Sequence, residues 1–186
     1  MARQETMPNI NCVPGQAVGF SLGSLLVYPS RGLFTVRAIR PFEVDGGTVL
    51  SLILSADDGR PSLAMPVAKA EAGAVRPLAS RAIFEQALGV LGDRRRLSRG
   101  VWARRAQGYG AAIKTGDPLL LAGVLRDLHR AGEQSFSERQ IFERALERLA
   151  SEYAAVMLIE RDAVRTLIRK KLEGRGVAGS VCRVPN

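Results

Sequence analysis

An α+β fold is predicted, with a small bent antiparallel β module followed by an all-α module of four to five helices. Three observations predict it. Short apolar runs before residue 80 are separated by the turn signals Asp45-Gly46-Gly47 and Asp57-Asp58-Gly59, the pattern of closely spaced strands. After Ser80 the apolar residues change to helical spacing, as at Ile83, Phe84, Ala87, Leu88 and Leu91. The charge is divided unevenly as well. Residues 1–80 hold 7 basic and 6 acidic side chains, and residues 81–186 hold 20 and 12. Nearly all of the net charge of +9 therefore lies in the second part, which points to two modules with different tasks.

The elements follow in order. Residues 1–19 contain Pro8, Pro14, Gly15 and Gly19 without periodicity and read as a flexible leader. The β module spans 20–78. Its strands are Leu25–Tyr28 (ended by Pro29), Leu33–Ile39, Val49–Leu54 and Ser62–Val67, enough for a small bent barrel or half-barrel. The helical module spans 80–173. Ser80 is placed to cap its first helix, which Gly92-Asp93 ends. A second helix begins near Ser98 and carries Val101, Trp102, Tyr109 and Ile113 as far as Thr115-Gly116. Asp117-Pro118 opens a third, because Asp accepts from free backbone N–H groups and Pro is tolerated at the first helical position. Ser137-Glu138-Arg139-Gln140 has the spacing of a capping box for the fourth. Asp162–Leu172 is the fifth, and 174–186 reads as a flexible tail.

Composition removes several classes of function. With 46% hydrophobic and 24% charged residues the chain is globular rather than disordered. No apolar run approaches the roughly 20 residues of a membrane span, and the N-terminus lacks a signal-peptide core. Two cysteines, Cys12 and Cys182, make neither a disulfide framework nor a zinc cluster. No phosphate loop or dinucleotide fingerprint occurs. Asp57 and Asp58 read as a solvated turn. The single histidine, His129, sits near a helix end without a base-orienting partner in sight. The expectation is a protein that is not an enzyme and needs no cofactor or metal.

The basic segment is more informative. Arg94, Arg95, Arg96, Arg99, Arg104 and Arg105 fall within twelve residues, with Asp93 the only acid beside them. Guanidinium groups match phosphate oxygens bidentately. A charge run is by itself most often a solvated turn, and a lone tryptophan is most often a core residue. Here the only tryptophan, Trp102, lies inside the arginine cluster. A helix face shared by Trp and Arg is awkward to bury. It suits a nucleic-acid surface on which Arg holds phosphates and an outward indole wedges beside a base step. Anionic lipid ranks lower, because the apolar positions are needed for a bundle core.

Two ordered sets of residues also carry a resemblance. The first is Phe20-x-x-Gly23-x-x-x-Val27-Tyr28-Pro29-x-x-Gly32, then Met65-Pro66-Val67. The second is Trp102-Ala103-Arg104-Arg105, Thr115-Gly116-Asp117, Val124-Leu125-Arg126-Asp127-Leu128 and Ser137-Glu138-Arg139-Gln140. Over residues 20–172 the chain resembles the CarD/CdnL family of bacterial transcription regulators. The resemblance implies a Tudor-like N-terminal module that binds the RNA polymerase β subunit. It also implies C-terminal helices that lie on promoter DNA at the upstream edge of the bubble, touching minor groove and phosphate backbone. Trp102 would be the wedge, with Arg104 and Arg105 on the backbone and Arg99, Arg94, Arg95 and Arg96 beside them, and the open complex would be stabilised. For polymerase the resemblance implies a surface at Met65 and Pro66. The family's Arg before that step is Ala64 here, so Arg31, Arg37 or Arg40 would take its part. The Gly-Asp common in the family is Gly23-Ser24, and a basic residue after the Trp is Gln107. The expectations are a monomer, no membrane partner, and a cytoplasmic, nucleoid-associated location. The alternative is a divergent paralogue that coats DNA without sequence preference and with weak or no polymerase contact.

Overall fold

The computed structural model describes residues 16–17, 19–44, 47–56, 61–93, 101–129 and 134–174. The architecture is α+β, an antiparallel sheet followed by a helical region. The strands are β1 (Gln16–Ala17), β2 (Phe20–Ser21), β3 (Leu25–Tyr28), β4 (Gly32–Val44), β5 (Gly47–Ser55), β6 (Leu63–Pro66) and β7 (Arg76–Pro77). A short turn of helix, α1 (Val67–Lys69), leads into a wider turn at Ala70–Ala74. The long helices are α2 (Arg81–Gly92), α3 (Trp102–Thr115), α4 (Pro118–Leu128), α5 (Phe136–Met157) and α6 (Arg161–Glu173). The chain divides into two compact units. One holds the described residues through Leu25 with Phe34–Gly73, and the other holds Leu26–Leu33 with the described residues from Ala74 onward.

In the first unit β4, β5 and β6 form an antiparallel meander. Leu52 lies opposite Met65 and Leu54 opposite Val36, so strand alternation puts these four on one face. All four are buried, with Phe34. The register shifts between Val36 and Ala38, so Arg37 is the extra residue of a bulge and is exposed. A bulge bends its strand and raises its twist, which is how so few strands curve around a small core. β4 is longer than its apolar stretch indicated, running through Pro41 to Val44. The leader expectation changes at its end, because Gln16–Ala17 pairs with Phe20–Ser21. Gly23 is a defined turn residue. Its φ is 78°, and its N–H donates to the Val36 carbonyl at 2.8 Å.

In the second unit β3 and β7 pair antiparallel, Leu26 opposite Pro77 and Val27 opposite Arg76. The helices enclose a core in which Phe84, Leu91, Leu121, Leu125, Leu146, Leu149, Ile168 and Leu172 are buried. Phe84 meets Tyr153 edge-on at 5.1 Å. Asp117 caps α4 as its sequence requires, its Oδ1 accepting from the N–H groups of Leu119 (2.7 Å) and Leu120 (3.3 Å). The capping box of α5 is Ser135…Glu138, two residues before the expected Ser137…Gln140. Glu138 Oε2 accepts from the Ser135 N–H at 3.1 Å, and Ser135 Oγ accepts from the Glu138 N–H at 3.3 Å. A carboxylate at the third position also answers the positive end of the helix, which Gln cannot. One edge of the α5–α6 pair is zipped by charge. Glu147 takes Arg161 and Arg165, and Glu143 takes Arg165 and Arg169, at 2.8–3.3 Å.

Gly116 ends α3 in the left-handed region at φ 66°, and a Cβ there would lie 3.4 Å from the Pro29 Cα. Gly116→Ala is therefore expected to lower the stability of the full chain by about 1–2 kcal/mol. Urea unfolding checks this, and an unchanged midpoint would mean that the turn relaxes at no cost.

Candidate nucleic-acid interface

The basic cluster begins in 94–100, outside the described residues, so Arg94, Arg95, Arg96 and Arg99 have no described place. Trp102, Arg104 and Arg105 do. All three lie in the first turn of α3, whose N-cap is Val101, later than the start near Ser98 that the sequence suggested. The first turn holds no acidic residue. The N–H groups of Arg104 and Arg105 both donate to the Val101 carbonyl, at 3.1 and 3.3 Å.

α3 is lightly embedded, and Ile113 is its only buried residue. Trp102, Arg105, Ala106, Tyr109 and Ala112 are half-buried along one face, and Ala103, Arg104, Gln107, Gly108, Ala111 and Lys114 are exposed. The expectation of a fully outward indole needs correcting. Trp102 packs against the helical core and is half-buried. Its ring is tilted against Tyr109 at 6.4 Å and 51°. The Arg105 guanidinium lies over it, 5.4 Å from the centroid. The awkwardness of burying Arg beside Trp is visible, since the Arg105 Nε is buried and has no hydrogen-bond partner among the described residues. Arg104 stays in solvent. Tyr109, not singled out in the sequence as a site residue, follows Trp102 by two helical turns, and that spacing was its available signal.

The remaining candidates divide between the units. Arg37, Arg40, Met65 and Pro66 belong to the first. Arg37 and Arg40 are exposed. Register puts Arg40, Ser51 and Pro66 in one row across β4, β5 and β6. Met65 is 3% exposed and paired with Leu52, so its side chain serves the core and offers nothing to a partner. The surface at that strand falls to half-buried Pro66 and exposed Ala64. Arg31 belongs to the second unit, on the turn after β3, 6.0 Å from the Tyr28 ring centroid.

The sequence reading missed a polar clamp within the second unit. Glu152 receives both terminal nitrogens of Arg76, at 2.6 and 2.8 Å, and the Ala79 N–H at 2.9 Å. Arg76 also donates to the carbonyls of Gly116 (2.6 Å) and Pro77 (2.9 Å). One turn earlier on α5, Arg148 donates to the carbonyls of Pro29 and Ser30. Nothing in local spacing announces it, because Arg76 and Glu152 are 76 residues apart and Arg148 and Pro29 are 119 apart. His129 follows α4 as its C-cap and lies against the Phe142 ring at 6.5 Å. Among the described residues no group of His, Cys, Asp and Glu is placed to hold a metal. No described helix is long and apolar enough to cross a membrane.

One comparison with known proteins bears on this surface. The family model for CarD, C-terminal domain, matches residues 86–169, which takes in α3, α4, α5 and most of α6.

Proposed function

Because the chain belongs to the CarD/CdnL family of transcription regulators, we propose that it binds the RNA polymerase β subunit through its β strands and promoter DNA through the start of α3. In this reading it stabilises the open complex, acts as a cytoplasmic monomer, and catalyses no reaction. The observation that carries the reading is the half-buried Trp102 in an acid-free first turn, with Arg104 in solvent beside it. A wedge costs a few kcal/mol to unstack a base step, so it favours DNA that is already kinked or opened. A ligand shifts an equilibrium only by its differential affinity for the two states. An advantage of about 1.4 kcal/mol gives a tenfold shift. One indole and a few Arg contacts supply that much, and tethering to polymerase raises the local concentration of a weak DNA binder.

The test is the half-life of open complexes on a linear promoter after heparin challenge. Trp102→Ala is expected to remove most of the gain that the protein confers. Since the ring also packs on the core, Trp102→Leu is run beside it to keep apolar bulk at the site. Wild-type half-lives with both variants would refute the wedge. Binding to DNA should also weaken with salt. About four phosphate contacts give a fall on the order of a hundredfold between about 50 and 200 mM.

The second reading, a paralogue with little polymerase contact, draws on exposed Ala64 where the family carries Arg. Capture of the full-length chain on polymerase separates the two. Arg37→Glu with Arg40→Glu should abolish capture if those side chains take over the contact, and capture that survives the double change would assign the contact elsewhere.

A further inference from the structure

We propose that Arg105 is a positioning residue for Trp102 rather than a phosphate contact: its guanidinium lies on the indole and holds the ring in the attitude that meets DNA. The proposal rests on the wedge reading above and changes the role which family resemblance gives to this arginine.

Two adjacent arginines in one helical turn have different surroundings. Arg104 is exposed, as a phosphate contact must be. Arg105 is half-buried, with its guanidinium carbon 5.4 Å from the Trp102 centroid. Its Nε is shielded from water and finds no acceptor among the described residues. A buried donor without an acceptor costs free energy, so the side chain is held down by its packing on the ring. A planar guanidinium over an indole has a cation–π attraction that grows as water is excluded. Tyr109 meets the same ring at 6.4 Å. An indole held by Arg105 and Tyr109 has fewer rotamers to lose on insertion, and preorganisation of that kind lowers the cost of binding.

Three readouts on the full-length protein test this. The first is the emission of Trp102, the only tryptophan in the chain. Arg105→Gln should shift it to longer wavelength and raise its quenching by acrylamide in the free protein. The second is heparin-challenge half-life. Arg105→Gln should shorten it about two- to fivefold, the range set by a cation–π contact. The same change should make no further difference in a Trp102→Leu background, because a residue acting through another is fully coupled to it. Arg105→Lys should not restore the half-life, since an ammonium keeps the charge and loses the flat face. The third is the salt dependence of DNA binding. Arg104→Gln should reduce the slope of log affinity against log salt by about one, and Arg105→Gln should leave it unchanged.

A slope reduced by about one in Arg105→Gln, with effects that add to those of Trp102→Leu, would make Arg105 a phosphate contact. That would overturn the proposal and leave the wedge intact. Wild-type half-lives in Trp102→Ala and Trp102→Leu alike would instead remove the wedge itself, and the positioning role with it.

Discussion

Glu152→Ala is expected to destabilise the chain by about 3–5 kcal/mol, the range for removing one partner of a buried ion pair. The carboxylate side chain is 4% exposed and its arginine 29%. Its loss leaves the Arg76 guanidinium with the Pro77 and Gly116 carbonyls and the Ala79 N–H without its acceptor. The effect should fall toward the lower end of the range, because Arg76 still reaches water. A domain is commonly stable by about 5–15 kcal/mol, so the change takes a large share of the whole. Urea unfolding of the full chain measures it. The double variant Arg76→Met with Glu152→Leu should recover most of the loss, since apolar replacement of both partners removes the desolvation cost together with the attraction. A single variant within about 1 kcal/mol of wild type would mean that water takes over the role of the carboxylate.

Phe84→Ala should cost about as much, about 3–5 kcal/mol, by a different route. Phe84 is 0% exposed and meets Tyr153 of α5 edge-on at 5.1 Å. Truncation leaves a cavity where α2 faces α5, and the close packing of a core limits how far neighbours can collapse into it. Phe84→Leu should cost clearly less, because it keeps most of the volume. Equal losses for the two variants in urea unfolding would show that the aromatic edge contact, rather than the volume, governs this position. Together the two variants separate the polar clamp of the second unit from its apolar core.

The local elements were largely legible in the sequence. Asp117-Pro118 starts α4 as written, and Gly116 before it closes α3, because one residue tolerates a left-handed backbone and the next accepts from free N–H groups. The α5 cap was displaced by two residues, since both Ser135 and Ser137 have a polar partner three positions on, and only the first pair brings a carboxylate. β7 was missed altogether. Two residues carry no periodicity, and the strand exists only because Leu26 and Val27 offer it a partner. Of the DNA-facing candidates, Arg104 stands in solvent. Trp102 divides its surface between core and solvent, and Arg105 turns to the ring instead of outward. Met65 failed as a partner-facing residue because strand alternation and its pairing with Leu52 aim it into the core.

Sequence alone determined the class of the fold, the capping of α4 and the clustering of arginine around one tryptophan, since propensity, capping and composition are properties of neighbours along the chain. Tertiary structure alone decided that Arg104 is exposed while Arg105 lies on the indole, and what the motif residues do for one another. Val27 and Pro29 lie against Gly116, while Arg148 and Glu152 on α5 bind the turn after β3 and the strand β7. These partners are distant in sequence, and the burial that makes their hydrogen bonds matter exists only once the helices have packed.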